Sequence, residues 1–157
     1  MRSVLPLEFF TNNDGLKSHI AVNAIINGKS AFLIVDTGAS NCIIDLNKKD
    51  NFNLKPETFD FDNKVMGIGT QELEASVTLC EKLELGAFYL KNYPFVLLDL
   101  GAINDSLEKN GCSAIDGIIG ADLLLKAKAV IDYESATILF RGNKSELHKK
   151  QNRVSVK

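Results

Sequence analysis

Asp36 stands at the end of an apolar run, Phe32-Leu33-Ile34-Val35, and is followed by Thr37, Gly38, Ala39 and Ser40. Four apolar residues, two of them β-branched, read as a buried strand. A carboxylate at the end of such a strand is costly unless something pairs with it or shares its proton. Gly38 permits a sharp turn and close approach of another backbone. Asp36, Thr37 and Gly38 are therefore the candidates for chemistry, with Asp36 at the mouth of a cleft. A second segment, Ile118-Ile119-Gly120, lies 84 positions after the first. Its glycine allows one strand to pass close to another beside a buried carboxylate, as a rigid acid/base site requires.

The remaining composition excludes several other chemistries. Two histidines, His19 and His148, leave little for a histidine metal site or a Ser-His-Asp triad. Three cysteines, Cys42, Cys80 and Cys112, are widely spaced, which argues against a disulfide framework and against zinc. Cys42 and Cys112 are expected as small buried hydrophobes, and Asp116 as a turn or strand-edge residue. No metal and no cofactor is expected. The formal charge of −2 gives no global field for nucleic acid or an anionic membrane. No run approaches the ~18 apolar residues of a membrane span, and the first ten residues are too polar for a signal peptide. The chain is expected to be cytoplasmic, although a chain trimmed of a leader would look the same.

The elements that position Asp36 follow from patterning. Val4 to Phe10 suits an edge strand, and Asn12 to Gly15 a turn. His19 to Ile26 alternates and ends at Asn27-Gly28, a two-residue hairpin signature, so Ala31 to Val35 is the return strand. Cys42 to Ile44 is a short strand before a polar loop. Lys64 to Thr70 and Glu72 to Leu79 form a second hairpin with a glycine-rich tip, and Leu73, Ala75, Val77 and Leu79 alternate along its return. Short strands follow at Leu83–Leu85, Phe88–Leu90 and Tyr93–Leu98. Ala102 to Lys109 has room for helical turns, Ile115 to Gly120 is a strand, and Ala121 to Lys126 is a short helix. Ala129–Asp132 and Thr137–Phe140 make a third hairpin. Many short strands with one or two short helices predict a mostly-β barrel or sandwich. With 157 residues, 45% of them hydrophobic, the chain suits one domain, residues 1–141. Residues 142–157 form a basic tail, expected to be flexible.

Taken together, these pieces resemble the retropepsin-like aspartic proteases, the single-domain kind found in retroviruses and in bacteria. The resemblance rests on Leu33 to Ser40, on Met66-Gly67-Ile68-Gly69 and on Asp116 to Leu124, with Val130 to Tyr133 and Ile138 to Phe140 in support. It spans residues 18–141. It implies a closed, mostly-β barrel acting as a homodimer, in which Asp36 faces Asp36 of the second chain across a water. One carboxylate then serves as general base and the protonated one polarises a peptide carbonyl. It also implies that Thr37 braces the two loops across the dimer. Gly38 leaves room for a peptide or protein substrate, and Gly67, Ile68 and Gly69 form a flap that closes over it. Retroviral members carry Arg where Ala121 stands, so Asp122 is expected to cap the short helix. The activity implied is aspartic endopeptidase; the alternative is a non-catalytic binding or dimerisation domain of the same shape. Phosphoryl transfer of the haloacid-dehalogenase type needs a second Asp two residues after the first, where this chain has Gly38, and long helices that it lacks.

Overall fold

Asn27-Gly28 joins two strands with the shortest loop a hairpin uses. In the computed structural model, which describes residues 1–57 and 75–144, Asn27 and Gly28 have φ of 48° and 83°. Two successive positive φ angles are what a type I′ turn demands. In chain order the strands of the first half are β1 (Arg2–Pro6), β2 (Glu8–Thr11), β3 (Lys17–Ile26), β4 (Lys29–Val35), β5 (Ile43–Asp45) and β6 (Pro56–Glu57). Then come β7 (Ser76–Leu85), β8 (Phe88–Leu98), α1 (Gly101–Lys109), β9 (Gly117–Ile119), α2 (Ala121–Lys126), β10 (Val130–Asp132) and β11 (Thr137–Arg141). The expected helix over 121–126 and the hairpin of β10 and β11 are both present.

The larger sheet runs β2-β3-β4-β9-β5-β8-β7-β6, and β3 also pairs with β7. That last pairing, Ile25 opposite Glu84 and Ile26 opposite Leu83, closes β3, β4, β9, β5, β8 and β7 into a barrel. Alternation along β3 puts Ile20, Val22, Ala24 and Ile26 into the core, with Leu33 and Val35 beside them from β4. Phe88, Phe95 and Phe140 fill the same core without solvent exposure. The opposite face of β4 and β9 is also covered. Ile34 and Ile118 pack with Phe10, Leu100, Leu107 and Ile115 in a second, smaller core under α1. A strand pair buried on both faces explains the unbroken apolar runs before Asp36 and Gly120.

Several elements differ from the sequence reading. The segment from Val4 to Phe10 is two strands in two sheets. β1 joins β11 and β10 in a separate three-stranded sheet, while β2 is an edge of the barrel sheet. Leu7 lies between them, buried, with its N–H donating to Ala136 O at 2.9 Å. The short strands read between Leu83 and Leu98 are parts of one long hairpin, β7 and β8. Its inward residues switch parity midway, from Thr78 and Cys80 to Leu83 and Leu85 on β7, and from Phe88 and Leu90 to Tyr93, Phe95 and Leu97 on β8. Asn92, with φ of 51°, sits at that switch. The alternation over Val77 and Leu79 is consequently turned outward. Leu79 is exposed, whereas Thr78 is buried and donates its hydroxyl to Lys55 O at 2.8 Å.

Asn27 stabilises the switch as well as the turn. Its N–H donates to Lys82 O at 2.9 Å. Its side-chain oxygen accepts from Lys82 N at 3.0 Å, and its amide group donates to Phe52 O at 2.9 Å. One side chain thus satisfies the Lys82 N–H where β3 ends, and the Phe52 carbonyl beside it.

Candidate active site

Asp36 follows the last residue of β4 directly, and its placement comes from a strand inserted between two sequence neighbours. β4 and β5 are consecutive between residues 29 and 45, yet they do not pair. β9 lies between them, parallel to β4 (Val35 beside Ile119) and antiparallel to β5 (Ile43 beside Ile118). Residues 36–42 must therefore arch over the end of β9 to reach β5. Gly120 sits under that arch. A Cβ there would lie 2.6 Å from Asn41 O and 2.9 Å from Ala39 O, closer than any side chain tolerates. Gly117 has a similar role lower on the strand, where a Cβ would strike Ile43 O.

The arch is fixed at three points. At its start, Asp36 N donates to Ile119 O at 3.0 Å. In its middle, Ala121 N donates to Ala39 O at 2.7 Å. At its end, Gly120 N donates to the Cys42 sulfur at 3.3 Å and Val96 N to the Cys42 carbonyl at 2.9 Å. Within the arch, Ala39 N donates to Asp36 O at 3.2 Å, and Gly38 N holds the Asp36 carboxylate through Oδ1 at 2.8 Å. Asp36, Thr37 and Gly38 form the start of the arch, and all three are exposed to solvent in the single chain, where the sequence suggests a buried carboxylate. The flap residues Gly67, Ile68 and Gly69 lie outside the described residues.

Three other carboxylates near this sheet have structural partners. Asp116 accepts from Phe32 N at 2.7 Å through one oxygen and pairs with Lys48 at 2.6 Å through the other. It belongs at the far end of β9, four residues before Gly120, or about 13 Å away by strand rise. The strand-edge role expected of it is what it has. Asp45 is buried and accepts from Asn47 N and Leu100 N, each at 3.1 Å. Asp99, exposed, accepts from Gly101 N and the Asn47 amide, and these bonds hold its carboxyl below the usual range. Among the described residues, no group of three or more His, Cys, Asp or Glu is arranged to hold a metal ion. Among them, too, no helix is long and apolar enough to cross a membrane.

Asp122 is the residue the sequence reading misplaced. It does not cap α2, whose N-cap is Gly120 without a side-chain bond. Its carboxylate turns inward. Oδ1 accepts from the Cys42 thiol at 3.2 Å and Oδ2 from the Tyr93 hydroxyl at 2.9 Å. Cys42 is fully buried, and burial, with the Asp122 charge adding to it, pushes its thiol far above the ordinary range. Burial does the same to Tyr93, helped by Cys42 and Asp122. Both groups stay neutral donors at any ordinary pH. No spacing rule points to Tyr93, because β8 brings it to Asp122 from 29 positions away.

The aspartyl protease family model matches residues 22–123, from the middle of β3 into α2. The chain belongs to the aspartyl protease family. Among curated proteins no sequence relative is detected. Solved structures supply the fold. A retropepsin-like aspartic protease from Rickettsia conorii superposes with a TM-score of 0.54 at 17% identity, covering 89% of this chain and 90% of that one. EIAV protease, solved with the inhibitor HBY-793, superposes with a TM-score of 0.53 at 14% identity, covering 74% of this chain and 95% of its own. This aspartyl protease family member therefore has the retropepsin-like fold: a closed, mostly-β barrel with two helices among its described residues.

Proposed function

We propose that the chain is an aspartic endopeptidase, acting as a homodimer, in which two Asp36 carboxylates hold and activate the attacking water. The observation that carries this reading is the placement of Asp36 itself. Its carboxylate is open to solvent at the rim of an arch pinned at three points, with one oxygen held by the Gly38 N–H. A single exposed carboxylate has no partner with which to share a proton; a second chain brought against the arch supplies one. Two carboxylates a few ångströms apart do not both ionise cheaply, so the pair holds one proton between them. The ionised member takes a proton from the water as it attacks the peptide carbon. The protonated member donates to the carbonyl oxygen that gains charge. The pair titrates as a unit. Thr37 braces the two arches, Gly38 leaves room for the substrate backbone, and Gly67, Ile68 and Gly69 close over it.

The test is hydrolysis of an unstructured protein and of a peptide library between pH 3 and 8. Asp36→Asn keeps the shape of the side chain and removes the dyad. Cleavage is expected to fall by at least about a thousandfold, within the range of general acid–base loss, while circular dichroism and assembly stay as in the parent. Activity is expected on the acid side, with block by a statine-type mimic of the transition state. Equal cleavage by the parent and Asp36→Asn would refute the mechanism, and no cleavage by either would instead assign the chain as a non-catalytic binding or dimerisation domain.

A further inference from the structure

We propose that the buried Tyr93–Asp122–Cys42 cluster is a positioning device that sets the reach of Asp36. This rests on the reading of Asp36 as the catalytic group. Three of the four bonds that pin the arch join backbone to backbone, Asp36 N to Ile119 O, Ala121 N to Ala39 O and Val96 N to Cys42 O. Many side chains would leave them intact. The fourth, Gly120 N to the Cys42 sulfur, depends on one side chain. Cys42 also closes the arch that Asp36 opens, so its position fixes the arch's span.

The sulfur is held in turn. Its S–H donates to Asp122 Oδ1, and its lone pair accepts from Gly120 N. A thiol is a weak donor and a weak acceptor. Donation to a carboxylate strengthens it as an acceptor, because hydrogen bonds in a chain polarise one another. Tyr93 occupies the other carboxylate oxygen, so both Asp122 oxygens are acceptors and the Cys42 proton has one place to go. Tyr93 is itself locked by an edge contact with Phe95, ring centroids 5.7 Å apart, inside the barrel core. Rigidity thus passes from the core through Tyr93, Asp122 and Cys42 to Gly120 and the end of the arch.

Three variants of the full chain separate positioning from bulk stability. Cys42→Ala removes both sulfur bonds. Cys42→Ser keeps a group that donates to Asp122 and accepts from Gly120. Asp122→Asn keeps the size but points an amide donor at a donor, and stands in should Cys42→Ala not fold. Amide hydrogen exchange at Ala39 and Ala121 reads the arch whether or not the protein cleaves anything. In Cys42→Ala and Asp122→Asn these two amides are expected to exchange at least about tenfold faster, with barrel amides such as Leu90 and Leu97 within about twofold. In the same folded variants kcat is expected to fall about tenfold with KM within about twofold, since Asp36 is misplaced only for the reacting geometry. Cys42→Ser is expected to restore both readouts to within about threefold of the parent. Arch amides that keep the parent rate, or that quicken only in step with the whole barrel, overturn the inference. So does faster arch exchange with kcat unchanged. A parent chain without peptidase activity would overturn the catalytic reading of Asp36 separately, and the exchange contrast would still decide whether the cluster holds the arch.

Discussion

At the scale of single residues, the site is built as much by absent side chains as by present ones. Gly120 lets the arch of residues 36–42 lie directly on the chain, and a methyl group there would press on the carbonyls of Ala39 and Asn41. Gly120→Ala is expected to cost about 1–3 kcal/mol through forced displacement of packed backbone. Because the displaced atoms belong to the arch, activity should fall further than stability; urea unfolding and a cleavage assay on the same preparation would compare them. Buried acids set a pH response of opposite sign to acid denaturation. Burial pushes the Cys80 thiol up to about 12 from an ordinary 9.0, with Cys42 and Tyr93 displaced the same way. A raised folded-state value means that the native chain keeps a proton which the unfolded chain gives up. That stabilisation is complete below pH 9, declines as pH rises from 9 towards 12, and is at most about 1.4 kcal/mol per pH unit for each group. Melting temperatures between pH 8 and 11 should therefore fall steadily, and Cys80→Ala should flatten the slope.

At the scale of elements, the β7–β8 hairpin carries the strongest local conflict. Its inward residues change parity in mid-strand on both sides, next to Lys82, whose N–H has to be satisfied where β3 ends. Asn27 does this from the tip of the β3–β4 turn, with Phe52 O as a further partner. The turn alone would accept glycine at this position, since φ is positive. Asn27→Gly is nevertheless expected to lose about 1–3 kcal/mol, because polar backbone groups at the seam between β3 and β7 lose their partner. Chemical denaturation measures this directly. A neutral result would mean that water replaces the Asn27 side chain and that the turn is its whole role.

For the whole molecule, the described chain presents one Asp36 at an exposed rim, and the proposed chemistry needs two. Specific activity should therefore depend on concentration, falling on dilution below the dimer dissociation constant and returning on reconcentration. Analytical ultracentrifugation across the same range should place the loss of activity at the loss of dimer. A chain that cleaves peptides while monomeric at every concentration would refute the paired mechanism. The three-stranded sheet bears on this assembly. β1 and β11 pair with each other in the same chain, with Arg2 opposite Arg141 and Val4 opposite Leu139. β11 also pairs with β10 and so has both edges covered, while β1 has one edge covered within the chain; the arch at residues 36–38 is exposed.

What the sequence determined by itself was whatever rests on neighbours in the chain. Asn27-Gly28 dictated a hairpin because few dipeptides accept two positive φ angles. Phe32 to Val35 dictated a buried strand ending on Asp36, and the short helix after Gly120 followed from Leu123 to Leu125. The pairing of Asp36 with a close-packed glycine far along the chain was legible too, because a glycine in an apolar strand marks a close approach. What only the tertiary structure decided depends on contacts that no local pattern encodes. The insertion of β9 between β4 and β5 is a matter of topology. The outward turn of Leu79 arises from a parity switch further along the same strand. Asp122 looked like a helix cap because the local rule was sound; a tyrosine from β8 and the buried thiol of Cys42 offered both its oxygens better partners. An ionised side chain beside a core follows the donors that the fold brings to it, and those donors are known only once the chain has closed.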